Sequence, residues 1–376
     1  MKRAVLLTGH YWGSKRQAGF HQIARSLLCK GWEVLFFTAP FSLLSFLRRD
    51  YRLKYLKMNE LNRLIQKDKN LESFVRFTLI HPVNLKSRLL NKTSYRLFNR
   101  YQHISLGQSE EFIREAELII YESNPVLFLF NHLKTISPDA RMVYRVSDDL
   151  RLLNCHPALI NIEQKLLPRF DLISVPSQYI YDVFGNRPNL KLQRHGINKE
   201  LFDKKMQNPY PPDYETNLVF IGQTYFDYDF LDIAAGLFPK LHFHIIGPLD
   251  EKRIRDNVHF YGEKPFADTI AFIKHADIGL HTLIHTPGAE SFSDSLKVIQ
   301  YEYCRLPIIA PYFMDCRRPQ VFYYKPGNPA SISEALSRAM QYDRKNISVE
   351  NVISWENLTE LLIGDKVEQK IVDNLL

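Results

Sequence analysis

RAVLLTGHYWGSKRQAGFHQIARSLLCKGWEVLFFT, residues 3–38, opens on the unbroken apolar run Arg3–Thr8. Such a run suits a parallel strand covered on both faces. The polar turn GHYWGSKRQAG follows, and then Phe20, Ile23, Leu27 and Leu28 recur at helical spacing. Gly31 closes the helix, and Glu33–Thr38 supplies a second strand. Strand, helix and strand of this length form a βαβ unit. The turn carries Gly9, Gly13 and Gly19, but not at the spacing of a dinucleotide fingerprint, so the pattern does not indicate a nicotinamide cofactor.

The same alternation continues outward. Leu118–Tyr121, Met142–Val146, Leu172–Val175 and Lys191–Gln193 read as strands, with a helix over Val126–Lys134. The stretch KKMQNPYPPDYET (204–216) has three prolines and no hydrophobic period, as an interdomain linker would. Beyond it a second series begins: strands at Asn217–Ile221, His242–Ile246, His259–Tyr261, Ile278–His281 and Pro307–Ala310, with helices from Asp229, over 266–275 and over 330–341. The expected fold class is α/β, with two doubly wound domains at 1–204 and 205–354 facing a central cleft. A last helix, about 355–376, is expected to pack back on the first domain.

Apolar residues make up 45% of the 376 and aromatics 13%, enough for two packed cores. No apolar run reaches the length of a membrane span, and Met1-Lys2-Arg3 leads straight into a strand. The four cysteines, Cys29, Cys155, Cys304 and Cys316, stand far apart, so neither a zinc site nor a disulfide frame is indicated. The expected compartment is the cytoplasm.

The net charge of +8 is unevenly placed: residues 1–100 hold 20 Lys/Arg against 5 Asp/Glu. PFSLLSFLRRDYRLKYLK (40–57) and LKSRLLNKTSYRLFNRYQ (85–102) mix leucine and phenylalanine with this basic charge. Both stretches suit helices lying in the headgroup layer of an anionic membrane. They also suit core helices whose arginines snorkel at the edge. No nucleic-acid reading motif accompanies the charge.

Two places carry chemistry. The strand Met142–Val146 runs into Ser147-Asp148-Asp149, and carboxylates at the carboxyl end of a parallel strand sit where α/β folds bind ligands. Further on, GAESFSDSLKVIQYEYCRLPIIAP (288–311) predicts a loop, a helix over Ser293–Tyr303 capped by Ser293, and a buried strand. Leu296, Ile299 and Tyr303 would face inward, with Lys297 and Gln300 on the opposite face near free N–H groups, a ready anion site. A capped surface helix with a solvated lysine fits the same residues. Gly222 and Gly262, each following a strand, would let backbone approach a nucleotide closely.

VYRVSDDL (143–150), HGIN (195–198), FIGQTYFD (220–227), HFHIIG (242–247), NVHFYGE (257–263), IKHADIGL (273–280) and SLKVIQYEYCRLP (295–307) together carry a resemblance. In their order and spacing the sequence resembles the GumK-type glucuronosyltransferases of bacterial exopolysaccharide assembly. The resemblance implies a GT-B fold and inverting, metal-independent transfer of glucuronic acid from UDP-glucuronate to a lipid-linked oligosaccharide. It also implies peripheral attachment to the inner face of the cytoplasmic membrane. It puts the catalytic aspartate at Asp148, the diphosphate-binding lysine at Lys297 with Gln300 one turn on, and the donor-side glutamate at Glu263. Nucleotide-lining positions fall at Thr224, Leu283 and Leu296, with Ser295 beside them. Thr224 and Leu296 replace methionines of the family, Leu283 a tyrosine and Asn198 an aspartate. The glutamate pair common in retaining GT-B enzymes is replaced by Phe292 and Gln300, which favours inversion.

The leading expectation is therefore an inverting UDP-glucuronate transferase acting on a lipid-linked or lipopolysaccharide-type acceptor, with no cofactor. The alternatives are a GT-B transferase using another UDP-sugar and a non-catalytic glycan-binding scaffold of that shape.

Overall fold

The computed structural model describes residues 1–15, 17–222, 225–251 and 255–364. The chain divides into two compact units, one of Met1–Gln193 with the segment from Trp355 onward, the other Arg194–Ser354. The division falls before the proline-rich stretch. Ile197, Phe202 and Tyr210, which flank or lie in that stretch, are buried in the core of the second unit. Packing, not composition, places the boundary.

The first unit is built on eight strands: β1 (Arg3–Thr8), β2 (Glu33–Ser42), β3 (Leu64–Asp68), β4 (Leu71–Thr78), β5 (Leu118–Glu122), β6 (Arg141–Arg145), β7 (Leu172–Val175) and β8 (Leu190–Leu192). Their order in the sheet is β3-β4-β2-β1-β5-β6-β7-β8, parallel throughout except β3 against β4. The chain winds outward from β1 to β2 and then returns to β5 on the other side. A crevice therefore opens at the carboxyl ends of β1 and β5, the usual ligand position in such sheets. The helix Gly19–Cys29 buries Phe20, Ile23, Ala24 and Leu27 on one face. It ends at Gly31, whose φ of +79° few other residues adopt.

The pair β3–β4 escapes a reading by composition, because Arg63, Lys67 and Lys69 mask its alternation. The stretch 40–57 is not one interfacial helix: β2 runs on to Ser42, then come a five-residue helix, Leu43–Leu47, and a 3-10 turn, Tyr51–Lys54. Phe41 is buried, whereas Leu43 and Leu47 stay exposed. Over 85–102 a helix does form, Arg88–Asn99. The helix expected at Val126–Lys134 is a 3-10 turn, Pro125–Leu129, leading into the helix Phe130–Ile136. The terminal helix spans Trp355–Ile363 and packs on the helix Gly19–Cys29. The expected continuation to 376 lies outside the described residues. No helix among the described residues is long and apolar enough to cross a membrane.

The second unit has six parallel strands: β9 (Thr216–Ile221), β10 (Leu241–Ile246), β11 (Val258–Phe260), β12 (Ile278–Leu280), β13 (Ile308–Pro311) and β14 (Val321–Tyr324), the last not foreseen. They are ordered β11-β10-β9-β12-β13-β14, so the winding reverses between β9 and β12.

At the carboxyl ends of β9, β10 and β11 the backbone closes on itself. Gly222 N–H donates to Ile246 O at 3.0 Å and Gly247 N–H to Gly262 O at 2.9 Å. A Cβ on Gly247, at φ +149°, would lie 1.7 Å from Gly222 O. Gly247→Ala is therefore expected to cost about 2–5 kcal/mol from strain and overpacking combined. Gly327→Ala, at φ +69° with open space around it, should cost only the strain, about 1 kcal/mol. Thermal midpoints of the two variants check this. Equal shifts would mean that the close approach at Gly222 is not what requires glycine.

Candidate active site

In the first unit, β1, β5 and β6 end side by side and present Gly9-His10, Glu122-Ser123 and Ser147-Asp148 to one cavity of about 280 Å³, also lined by Tyr51 and Arg52. Glu122, the last residue of β5, is 6% exposed and saturated with donors. It accepts from Thr8 Oγ1 (2.7 Å), Gly9 N–H (2.8 Å), Ser147 Oγ (3.0 Å) and Asn124 Nδ2 (3.1 Å). His10 Nε2 lies 3.4 Å from its other oxygen. Burial works against its charge, but the contacts from His10, Thr8 and Gly9 outweigh burial and hold its pKa down to about 2. Glu122 thus stays ionised and fixes the loop after β1.

Asp148 sits at the mouth of this cavity, exposed by area. Its backbone N–H donates to Ser123 Oγ at 3.0 Å, which leaves the carboxylate out of the turn's own bonding. Crowding of the carboxyl and repulsion from Glu122 raise its pKa, while His10 pulls it back. Asp149 is different. It is 2% exposed and held by Arg151, whose Nε donates at 2.8 Å, and it accepts from the Arg151 N–H at 3.0 Å. Neighbouring residues at the strand end point apart, one to the cavity and one into the turn. His10 and Glu122 were absent from the sequence-based candidates. The signal was available: Glu122 ends a parallel strand just as Asp148 follows one.

In the second unit the helix expected from Ser293 begins later. Ala289–Asp294 is a 3-10 turn, and the helix is Leu296–Tyr303 with Ser295 at its N-cap. That shift rotates the faces. Val298, Ile299, Gln300 and Tyr301 are buried, Leu296 is 36% exposed, and Lys297 is half-buried rather than solvated. The turn is fixed by Arg318, 8% exposed, which meets Asp294 at 2.6 Å and Glu302 at 2.8 Å. Arg194 Nε adds a second contact to Asp294 at 3.1 Å.

Lys297 extends toward the glycine-lined ends of β9 and β10. Its Nζ lies 4.1 Å from the ring centroid of Phe220 and 3.6 Å from where a Cβ of Gly222 would stand. Among the described residues no carboxylate pairs with it. Burial lowers its pKa to about 7. The Phe220 ring favours the cation, but one cation–π contact offsets only part of such desolvation. On the loop after β12, in the turn Ala289–Asp294 and at the N-cap lie buried side-chain atoms with no hydrogen-bond partner among the described residues: His281 Nδ1, Thr282 Oγ1, Ser293 Oγ and Ser295 Oγ. His281 donates its other nitrogen to Phe292 O at 3.1 Å, and its pKa is driven down by burial and by Lys297. Orphaned hydroxyls beside a cation with no carboxylate partner among the described residues fit an anion rich in acceptor oxygens, whereas His281 Nδ1, lacking a proton, can only accept.

The remaining positions divide. Gly222 is at this site. Glu263 is exposed on the loop after β11, following Gly262. Leu283 is 4% exposed, within the hydrophobic core, so it packs rather than lines. Thr224 lies outside the described residues.

Residues 6–176 match the family model described as "Glucuronosyltransferase GumK, N-terminal domain". Over 365 residues the chain is 26% identical to the UDP-glucuronate:glycolipid 2-beta-glucuronosyltransferase of Xanthomonas campestris pv. campestris, covering 96% of this chain and 89% of the relative. Among solved structures it is similar to OtsA in its apo form, with TM-score 0.61, 12% identity and coverage of 98% and 99% of the two chains. It is also similar to Arabidopsis thaliana UGT89C1 complexed with UDP-L-rhamnose, with TM-score 0.53, 11% identity and coverage of 96% and 98%. These neighbours share the GT-B fold.

The state of Lys297 generates a test by calorimetry with UDP. With its pKa near 7 in the free protein, the amine must take up a proton to meet a diphosphate at pH 8. Binding should then absorb close to one proton, and affinity should fall as pH rises above 7. Lys297→Met should lose both the proton uptake and about 1.5–3 kcal/mol of affinity, roughly ten- to a hundredfold. In stability the sign is the reverse. Between about pH 7 and 10.5 the unfolded chain keeps a proton that the native lysine has released, so this residue's contribution rises with pH. Unchanged UDP affinity in the variant would place the diphosphate elsewhere.

Proposed function

We propose that this chain, a GumK-type glycosyltransferase of the GT-B fold, moves glucuronic acid from UDP-glucuronate to a hydroxyl of a lipid-linked oligosaccharide. The transfer inverts the anomeric carbon and requires no metal. The observation that carries this reading is Lys297: a half-buried amine over the Phe220 ring with no carboxylate partner among the described residues, close in the chain to buried hydroxyls that also lack one. A diphosphate supplies what that arrangement is missing. The glucuronyl donor and glycolipid acceptor follow from the activity of the Xanthomonas campestris relative.

The reaction balances as a direct displacement. The acceptor oxygen bonds to the anomeric carbon on the face opposite the leaving group, and its proton passes to Asp148. The bond from that carbon to the diphosphate oxygen breaks, and UDP departs with the electron pair. Lys297 and the N–H groups at the start of Leu296–Tyr303 offset the charge that develops there. Asp148 suits the base role because burial and Glu122 raise its pKa, which makes it a better proton acceptor than an ordinary carboxylate. Glu122, saturated with donors, and Asp149, paired with Arg151, do not compete for the proton. Glu263 is assigned to the donor side.

The proposal includes peripheral attachment to the inner face of the cytoplasmic membrane. Leu47 is 79% exposed and Leu89 70%, with Leu43, Leu85, Leu90 and Leu97 also exposed, all among exposed Arg48, Arg49, Lys86, Arg88, Lys92 and Arg96. Apolar side chains within a basic field match an anionic bilayer.

Asp148→Asn keeps size and most hydrogen bonding but cannot accept the proton, so the transfer rate should drop by roughly 10²–10⁴. UDP binding should be retained. Asp149→Asn should affect folding more than turnover. Full activity in Asp148→Asn would disqualify it as the base and turn attention to His10, the other basic group in the cavity. Flotation addresses the membrane: recovery should be higher with anionic than with neutral liposomes, and should weaken but persist as salt rises. Equal recovery with both kinds would reject an electrostatic contribution.

A further inference from the structure

The first unit holds a second cavity that the reaction above does not use. Its volume is about 400 Å³, and it lies where β4 runs out into residues 77–82, against the helix Arg88–Asn99 and the 3-10 turn Arg100–His103. Most of the lining is apolar, including Phe77, Leu79, Ile80, Leu97, Phe98 and Ile104. Leu79 is 73% exposed and Leu97 47%, so hydrocarbon reaches the rim as well as the wall. A recess of this kind is poorly wetted and favours an apolar chain.

Two donor groups on the lining residues have no hydrogen-bond partner among the described residues. Tyr101 is 4% exposed, and its hydroxyl makes no hydrogen bond. Arg76 donates Nη1 to Asn62 Oδ1 at 2.7 Å, but its Nε is buried and unpaired. A native fold rarely leaves two such donors side by side unless something else accepts from them. The surroundings are positive. Arg100 is exposed on the lining, and Arg48 and Arg52 act on His81, another lining residue, whose pKa burial lowers to about 4. Arg52 links this recess to the one that holds Asp148. It donates to Gly9 O at 2.7 Å and to Asp50, both lining the Asp148 cavity, while its charge also bears on Tyr101.

We infer that this recess binds the phosphate-proximal part of a phosphorylated lipid, the phosphate accepting from Arg76 Nε and the Tyr101 hydroxyl and the hydrocarbon chain lying on the apolar wall. The inference rests on the glycolipid-acceptor reading and deepens it by assigning a place to the acceptor's lipid end. Its position beside the Asp148 cavity, through Arg52, keeps lipid anchorage and proton transfer within one unit.

Calorimetry on the full chain with farnesyl phosphate tests it, with farnesol and inorganic phosphate as the two partial ligands. Farnesyl phosphate should bind at least tenfold more tightly than either. Tyr101→Phe and Arg76→Gln should each weaken it about five- to tenfold, and Ile104→Trp, which fills the recess, should abolish it. Tyr101→Phe removes only an oxygen that the free protein leaves unpaired, so its thermal midpoint should not fall even as affinity does. UDP titrated into the same samples keeps the two readings apart. Intact UDP binding with no farnesyl phosphate binding overturns this inference alone, whereas failure of the unaltered protein to bind UDP overturns the proposed function. Phosphate binding as tightly would reduce the recess to an anion site, farnesol binding as tightly to a greasy surface. Affinity unchanged in all three variants would move the lipid elsewhere. Each of these outcomes rejects the inference.

Discussion

Charge taken out of water must be met by opposite charge or by hydrogen bonds, and the two units meet this constraint differently. In the first, Glu122 is surrounded by donors from three neighbouring strand ends, and its negative charge is secure. In the second, Asp294 is secured by Arg318 and Arg194, which locks the turn that precedes the helix Leu296–Tyr303. Lys297 is held differently, with a ring below it and no carboxylate beside it among the described residues.

Sheet topology brings these groups together. Each sheet reverses its winding beside its first strand, and the loops that carry chemistry leave from the carboxyl ends at that reversal. In the first unit this assembles Gly9-His10, Glu122 and Ser147-Asp148 from positions more than a hundred residues apart. In the second it brings Gly222 and Gly247 into a contact that only glycine permits, next to Lys297. The apolar recess arises otherwise. It forms where β4 leaves the sheet and meets the amphipathic helix Arg88–Asn99, and its unpaired donors come from a strand and a turn that share no sequence motif.

The sequence by itself determined the α/β class, the βαβ series in each half and the carboxylates at the strand end Ser147–Asp149, because hydrophobic runs and strand-end carboxylates are local signals. It also carried the family motifs, whose order along the chain needs no structure to be recognised. Only the tertiary structure decided which groups are partnered. Asp148 and Asp149 are equivalent in sequence until Arg151 closes on one and leaves the other at the cavity. Ser293 looked like a cap until Arg318, a residue downstream of the whole motif, held Asp294 and moved the helix start to Leu296. Glu122 could be placed at a strand end from the sequence, but its partners Thr8, Gly9 and His10, at the end of another strand, could not. Hydrogen bonds and desolvation depend on distances between residues remote in the chain, which local pattern does not encode.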